Sequence, residues 1–254
     1  MSHYRAGACS RRFHLIFQEA VLYEILDRSL RQQAQRRGIR EVAAMKRVLI
    51  YGDSNTYGFS PVRADARLPE EQRWVKLLQR ELGGDYAIIP EGLNGRTTAF
   101  DWPEPWQLPG VDKNGLATLP LCLRAHPHAD AVLFMLGTND CSFPFGLSAE
   151  DITGGLERLL QLTRETLPGA RLGVIAPAPI LPDTEGTLFS DQVDRSSSEK
   201  SRALAPLYRA LAERFDALFL DAAGCEVHTV DCEHLTPAGH RELARRVAAM
   251  LRNL

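Results

Sequence analysis

The chain has 254 residues, a formal net charge of −2, and 44% hydrophobic against 24% charged residues. That length accommodates one large α/β domain or two small ones, and the near-neutral balance argues against a nucleic-acid partner held by phosphate neutralisation. No apolar run approaches the length that crosses a bilayer, so no membrane partner is expected. The five cysteines are odd in number, widely spaced and outside any C-x-x-C pair, which suits the reduced thiols of a cytoplasmic protein better than a disulfide framework.

Residues 1–45 stand apart. They are rich in arginine, and Phe13, Ile16, Phe17, Ala20, Tyr23, Leu26 and Leu30 recur at three- and four-residue steps, the period of an amphipathic helix. Glu19, Glu24 and Asp27 spoil the acid-poor character of a transit peptide, and no apolar stretch precedes a cleavage site. A helical extension outside the core domain is expected here, with Met45-Lys46-Arg47 as a natural beginning of the domain at 46–254.

Val48-Leu49-Ile50-Tyr51 reads as a buried strand. Gly52 breaks it, and Asp53-Ser54 fall where the chain turns toward a helix. A loop with Gly58, Pro61 and Pro69 leads to a helical pattern through Trp74, Leu77, Leu78 and Leu82, stopped by Gly83-Gly84. A second strand over 86–90 runs into a turn of small and polar residues, 91–98, and then an aromatic, proline-rich loop. A helix over 115–126 precedes a third strand, 131–136, whose almost wholly apolar character fits a strand covered on both faces. It ends in Gly137-Thr138-Asn139-Asp140. Ser148 with Asp151 forms a capping-box pattern opening a helix to about Thr166. A fourth strand, 171–176, a polar and flexible stretch over 183–198, a helix over 199–214 and a fifth strand, 217–221, follow. The last helix runs from about Thr236 to Leu251, with Pro237 in its first turn. Strands alternating with helices at this spacing predict a three-layer α/β/α domain around a five-stranded parallel sheet.

The unusual turns fall after strands one, two, three and five, so they gather on one rim of the sheet, where open α/β folds bind ligands. Serine hydrolysis needs a nucleophilic hydroxyl, a base, a group that orients the base, and donors for an oxyanion. Ser54 is the candidate nucleophile and His234 the candidate base, with an ordinary pKa near neutrality. Asp231, three residues earlier, is the candidate orienting carboxylate, although Glu233 competes for that role. The backbone N–H groups of Ser54 and Gly95 and the amide of Asn139 are the candidate oxyanion donors. Asp53, Phe100, Trp102, Trp106 and Pro177 are expected to line a substrate pocket. His126, His128 and His228 read as ordinary loop histidines, and His240 as part of the last helix.

Together, Gly52-Asp53-Ser54, Asn94-Gly95, Gly137-Thr138-Asn139-Asp140 and Asp231-x-x-His234 resemble, in that order, the blocks of the GDSL, or SGNH, hydrolases. Asn55 stands where the first block of that family commonly has leucine, a variation that leaves the machinery intact. The runs 91–98 and 135–140 look most like the arylesterase and acyltransferase branch. The resemblance covers 47–251 and implies a flavodoxin-like sheet, a catalytic triad, an oxyanion hole, no cofactor and no metal. It further implies a homo-oligomer acting on small-molecule esters of short acyl chains, with acyl transfer to alcohols or peroxide as a further activity. Carbohydrate O-acetylesterase, thioesterase and lysophospholipase activities belong to the same family. Absence of a Gly-x-Ser-x-Gly elbow argues against an α/β-hydrolase. More distant readings are a metal-dependent phosphoesterase, which needs converging histidine and carboxylate ligands, and a non-enzymatic flavodoxin-like ligand binder.

Overall fold

Val48, Leu49, Ile50 and Tyr51 have no solvent exposure, and around them the computed structural model builds the sheet. The structure describes residues 45–107 and 109–252; the helix expected in the N-terminal extension lies outside the described residues. Five strands, β1 (Lys46–Gly52), β2 (Tyr86–Gly92), β3 (Ala131–Met135), β4 (Arg171–Ala176) and β5 (Leu218–Asp221), pair in parallel in the order β2-β1-β3-β4-β5. This is the flavodoxin-like order, whose direction reverses between β1 and β3 and opens a crevice at their carboxyl ends.

Among the described residues six α-helices accompany the strands: α1 (Ser54–Tyr57), α2 (Trp74–Leu82), α3 (Gly115–Ala125), α4 (Ala149–Thr166), α5 (Arg195–Arg214) and α6 (Pro237–Leu251). Alternation of side chains along each strand splits the core in two. Leu49, Tyr51, Val132, Phe134 and Val174 face α3, α4 and α5. Val48, Ile50, Leu133, Met135 and Ile175 face α2 and α6. The expected α/β/α layering is therefore present.

Local chemistry sets the element ends. Ser148 caps α4 in the expected reciprocal box, its Oγ accepting from the Asp151 N–H while the Asp151 carboxylate accepts from the Ser148 N–H. A second box that composition disguised as a flexible polar stretch, Asp194 with Ser197, starts α5 at Arg195, four residues before the expected Glu199. Thr236 caps α6, with Pro237 at its first position.

At the carboxyl ends of β1 and β2, Gly52 and Gly92 stand where a side chain has no room. A Cβ on Gly92 would meet the backbone nitrogen of Tyr57 at 2.3 Å, where α1 crosses the end of β2. Gly92→Ala should therefore push α1 away from the sheet at an overpacking cost of about 1–3 kcal/mol. A thermal melt checks this; at ~2–4 °C per kcal/mol for a chain of this size, Tm should fall by several degrees.

Candidate active site

Each strand end along the crevice contributes one part. After β1, Asp53 caps α1 by accepting from the Asn55 N–H through Oδ1 at 2.9 Å. Gly58, at φ 88°, ends α1 after four residues. Ser54 is thus held at the first position of a single helical turn, the residue 7% exposed.

After β5 the chain winds back over the crevice and delivers residues 231–234. His234 Nδ1 stands 2.8 Å from Asp231 Oδ2, and His234 Nε2 stands 2.8 Å from Ser54 Oγ. A carboxylate offers only acceptors, so Nδ1 carries the proton and Nε2 accepts from the serine hydroxyl. Asp231 Oδ1 accepts from the backbone N–H groups of Glu233 and His234, both at 3.2 Å, which locks the carboxylate before the imidazole meets it.

Asn55 joins the two halves. Its Nδ2 donates to the Glu233 carbonyl at 3.1 Å and its Oδ1 accepts from the Leu235 N–H at 2.9 Å. A leucine could make neither bond, so in this chain the residue after the serine clamps the histidine loop onto the serine turn. Nothing in the sequence spacing pointed to that contact.

The loops after β2 and β3 are stapled to each other. Gly95 lies at φ 76°, and its carbonyl accepts from Trp102 Nε1 at 2.7 Å. Asn139 donates through Nδ2 to the Arg96 carbonyl at 2.9 Å, which spends one amide hydrogen and leaves the other to point elsewhere. Asp140 accepts from the Thr98 N–H and hydroxyl.

Ser54, Gly95, Asn139, Glu233 and His234 open into one cavity of about 420 Å³, walled by Phe59, Trp102, Pro105, Trp106 and Phe189 with Asn94, Lys113 and Gln192. Of the residues expected to line a pocket, Trp102 and Trp106 do so. Asp53 is wholly buried as the helix cap, and Phe100 lies against the Gly155 position of α4; neither is in the cavity wall, nor is Pro177. Phe59, Phe189, Gln192 and Lys113 were missed because they come from loops without periodic pattern, and only the cavity reveals them.

Burial dominates the electrostatics. It pushes the Asp53 and Asp140 carboxyls up to about 6 and Glu233 to about 7, with His234 pulling Glu233 back and Asp231 and Asp53 pushing it further up. For His234 burial acts downward, but the Asp231 hydrogen bond and the carboxylates of Glu233, Asp231 and Asp53 outweigh it, and its pKa lies above the ordinary value. Glu233 Oε1 is 3.7 Å from His234 Nδ1, so it flanks the histidine without displacing Asp231. Away from this cavity, one trio among the described residues brings metal-ligating groups together, Glu91, Cys122 and His126.

The profile of the GDSL-like Lipase/Acylhydrolase family matches residues 50–242. The chain belongs to this family. The described residues contain no helix long and apolar enough to cross a membrane. Among solved structures it is similar to a carbohydrate acetylesterase family member from Sinorhizobium meliloti, 36% identical with a TM-score of 0.75 over 82% of this chain and 98% of that one. It is similar also to the M. smegmatis aryl esterase, 33% identical with a TM-score of 0.73 over 82% and 99% of the two chains. The platelet-activating factor acetylhydrolase IB subunit alpha1 of Homo sapiens is 31% identical over 139 residues, 51% of this chain. This chain spans about half, 54%, of that relative's length.

Replacing the Asn55 clamp by the leucine of the family's first block should loosen the histidine loop. Two lost buried hydrogen bonds cost ~1–3 kcal/mol each when their partners stay unsatisfied. Asn55→Leu is expected to lower kcat at least about tenfold. Steady-state kinetics beside a circular-dichroism spectrum of unchanged shape would show this; wild-type turnover would refute the clamp.

Proposed function

We propose that residues 46–254 form a serine esterase that hydrolyses short-chain, acetyl-type carboxylic esters through an acyl-Ser54 intermediate. The observation that carries this reading is the unbroken relay Asp231–His234–Ser54, with both links at 2.8 Å, opening into the cavity. Ser54 Oγ attacks the ester carbonyl as His234 Nε2 takes its proton, and Asp231 holds the imidazolium that forms. The backbone N–H groups of Ser54 and Gly95 and the second amide hydrogen of Asn139 receive the oxyanion. His234 then protonates the departing alkoxide, and water activated by the same nitrogen releases the acid.

A cavity of about 420 Å³ suits an acyl group with a small alcohol. Its aromatic walls also suit an alcohol or peroxide that competes with water for the acyl-enzyme, so acyl transfer belongs to the proposal. A second reading is a carbohydrate O-acetylesterase. It is favoured by the indole rings of Trp102 and Trp106 beside Lys113, Gln192 and Glu233, since flat apolar faces next to convergent polar groups are what a sugar ring requires.

Ser54→Ala should lower hydrolysis of 4-nitrophenyl acetate by about 10⁴-fold or more and abolish labelling by a fluorophosphonate, with the thermal melt unchanged. Asn139→Ala should cost about 10²–10³ in kcat. Comparing acyl chain lengths on 4-nitrophenyl esters with an acetylated xylo-oligosaccharide separates the two substrate readings.

The pH dependence has a definite sign. The base must be neutral to accept the serine proton, so a His234 pKa above the ordinary 6.5 places the acid limb of kcat/KM above pH 6.5. Glu233→Gln removes a carboxylate that favours the imidazolium and should move that limb to lower pH. A limb unmoved in that variant would show that Glu233 does not act on the histidine.

A further inference from the structure

We propose that Glu91, Cys122 and His126 form a binding site for a single thiophilic divalent metal ion of the Zn²⁺ type, separate from the ester cavity. Glu91 sits on β2, in register with Tyr51, so its side chain leaves the sheet on the face covered by α3. Cys122 lies in the last turn of α3, and His126, four residues on, is the cap residue of that helix. Residues four apart on a helix share a face, and both reach toward the Glu91 carboxylate. The carboxylate oxygen, thiol sulfur and imidazole nitrogen all lie within 4.8 Å of one another, and Glu91 Oε1 is 3.1 Å from His126 Nε2.

The donor set selects the ion. One sulfur, one nitrogen and one oxygen suit Zn²⁺ or Co²⁺, whereas Mg²⁺ and Ca²⁺ prefer oxygen alone. Ligand atoms about 2.0–2.3 Å from a tetrahedral zinc stand roughly 3.3–3.8 Å apart, so binding draws the three donors together by about 1 Å. The side chains of His126 and Glu91 are 25% and 38% exposed, which lets an ion enter and leaves a fourth position for water. On binding, the Cys122 S–H bond is replaced by a metal–sulfur bond and its proton goes to solvent. His126 gives the Nε2 lone pair and Glu91 its carboxylate. A divalent ion with one thiolate and one carboxylate is neutral overall, which suits a half-buried place beside the Arg96 guanidinium.

None of the three residues lines the ester cavity, and none takes part in the proposed relay. The site nonetheless adjoins it through the backbone. Arg96 donates through Nη1 to the carbonyls of Glu91 and Gly52, and its own carbonyl holds the Asn139 amide.

The test uses the untagged full chain, stripped of metal by a chelator and titrated with Co²⁺. One equivalent should bind with the near-ultraviolet charge-transfer absorption of a cobalt–thiolate bond, and one equivalent of Zn²⁺ should abolish that signal. Cys122→Ser should remove the absorption, and His126→Ala and Glu91→Gln should each weaken Co²⁺ binding at least tenfold. Cys9→Ser should leave it intact. Cys122→Ser should retain wild-type hydrolysis of 4-nitrophenyl acetate, which reports an intact fold. Absence of the charge-transfer band in the wild type, or its persistence in Cys122→Ser, would overturn the proposal.

Discussion

A single hydrogen bond between side chains 180 residues apart, Ser54 Oγ and His234 Nε2, sets the demands on the rest of the structure. Their strands are not neighbours: β3 and β4 lie between β1 and β5. The chain leaving β5 must therefore travel back across two strand ends before it can present the histidine. Backbone bonds tether it along that route, from the Leu181 N–H to the Cys232 carbonyl and from the Leu188 N–H to the Val230 carbonyl. Cys232 adopts φ 67°, the left-handed turn that swings Asp231 and His234 into one plane of contact. Asn55 makes the final attachment at the serine itself. The parallel sheet supplies the rigid rim, and a few side-chain and backbone hydrogen bonds bring the returning loop to within reach of it.

Electrostatics follows from the same closure. Glu233 in that loop is buried, as are Asp53 and Asp140 at the rim, and burial in a medium of low dielectric raises the pKa of all three. Asp231 is the carboxylate that touches the imidazole directly, and it also accepts two backbone N–H bonds. Glu233 has neither advantage and stands further off. Their different surroundings, more than their order along the chain, separate the two carboxylates that compete for one histidine.

Much of this architecture is legible in the residues. Strands β1, β3 and β4 are read directly from apolar runs, because a strand covered on both faces has no alternation to blur it. Their boundaries moved by a residue or two at most. Helix α5 begins earlier than composition suggests because its first turn is Arg195-Ser196-Ser197-Ser198, which looks like a loop until the Asp194–Ser197 box is seen. At the site, Ser54, Asp231, His234, Gly95 and Asn139 share one cavity or one relay, as the order of turns along the sheet suggested. The cavity walls were less legible. Phe59 and Phe189 come from irregular loops, and neither spacing nor composition says that both rings lie against His234, with centroids 4.4 and 5.9 Å from it. Asn55 looks like a harmless variation in the sequence because its two partners, the backbones of Glu233 and Leu235, are distant along the chain.

The indole of Trp102 has two duties: it forms one wall of the cavity, and its nitrogen steadies the Gly95 peptide. The walls are therefore not equivalent for anyone wishing to enlarge the cavity. Space opened on the Trp102 side comes with a loosened Gly95 peptide, so selectivity and speed would change together. The Phe189 ring packs against Phe59 and His234 through tilted ring contacts, and a smaller residue there enlarges the chamber without untying a side-chain polar contact. Breadth of substrate range can thus be tuned from one side of the crevice while the other keeps the geometry of the reaction.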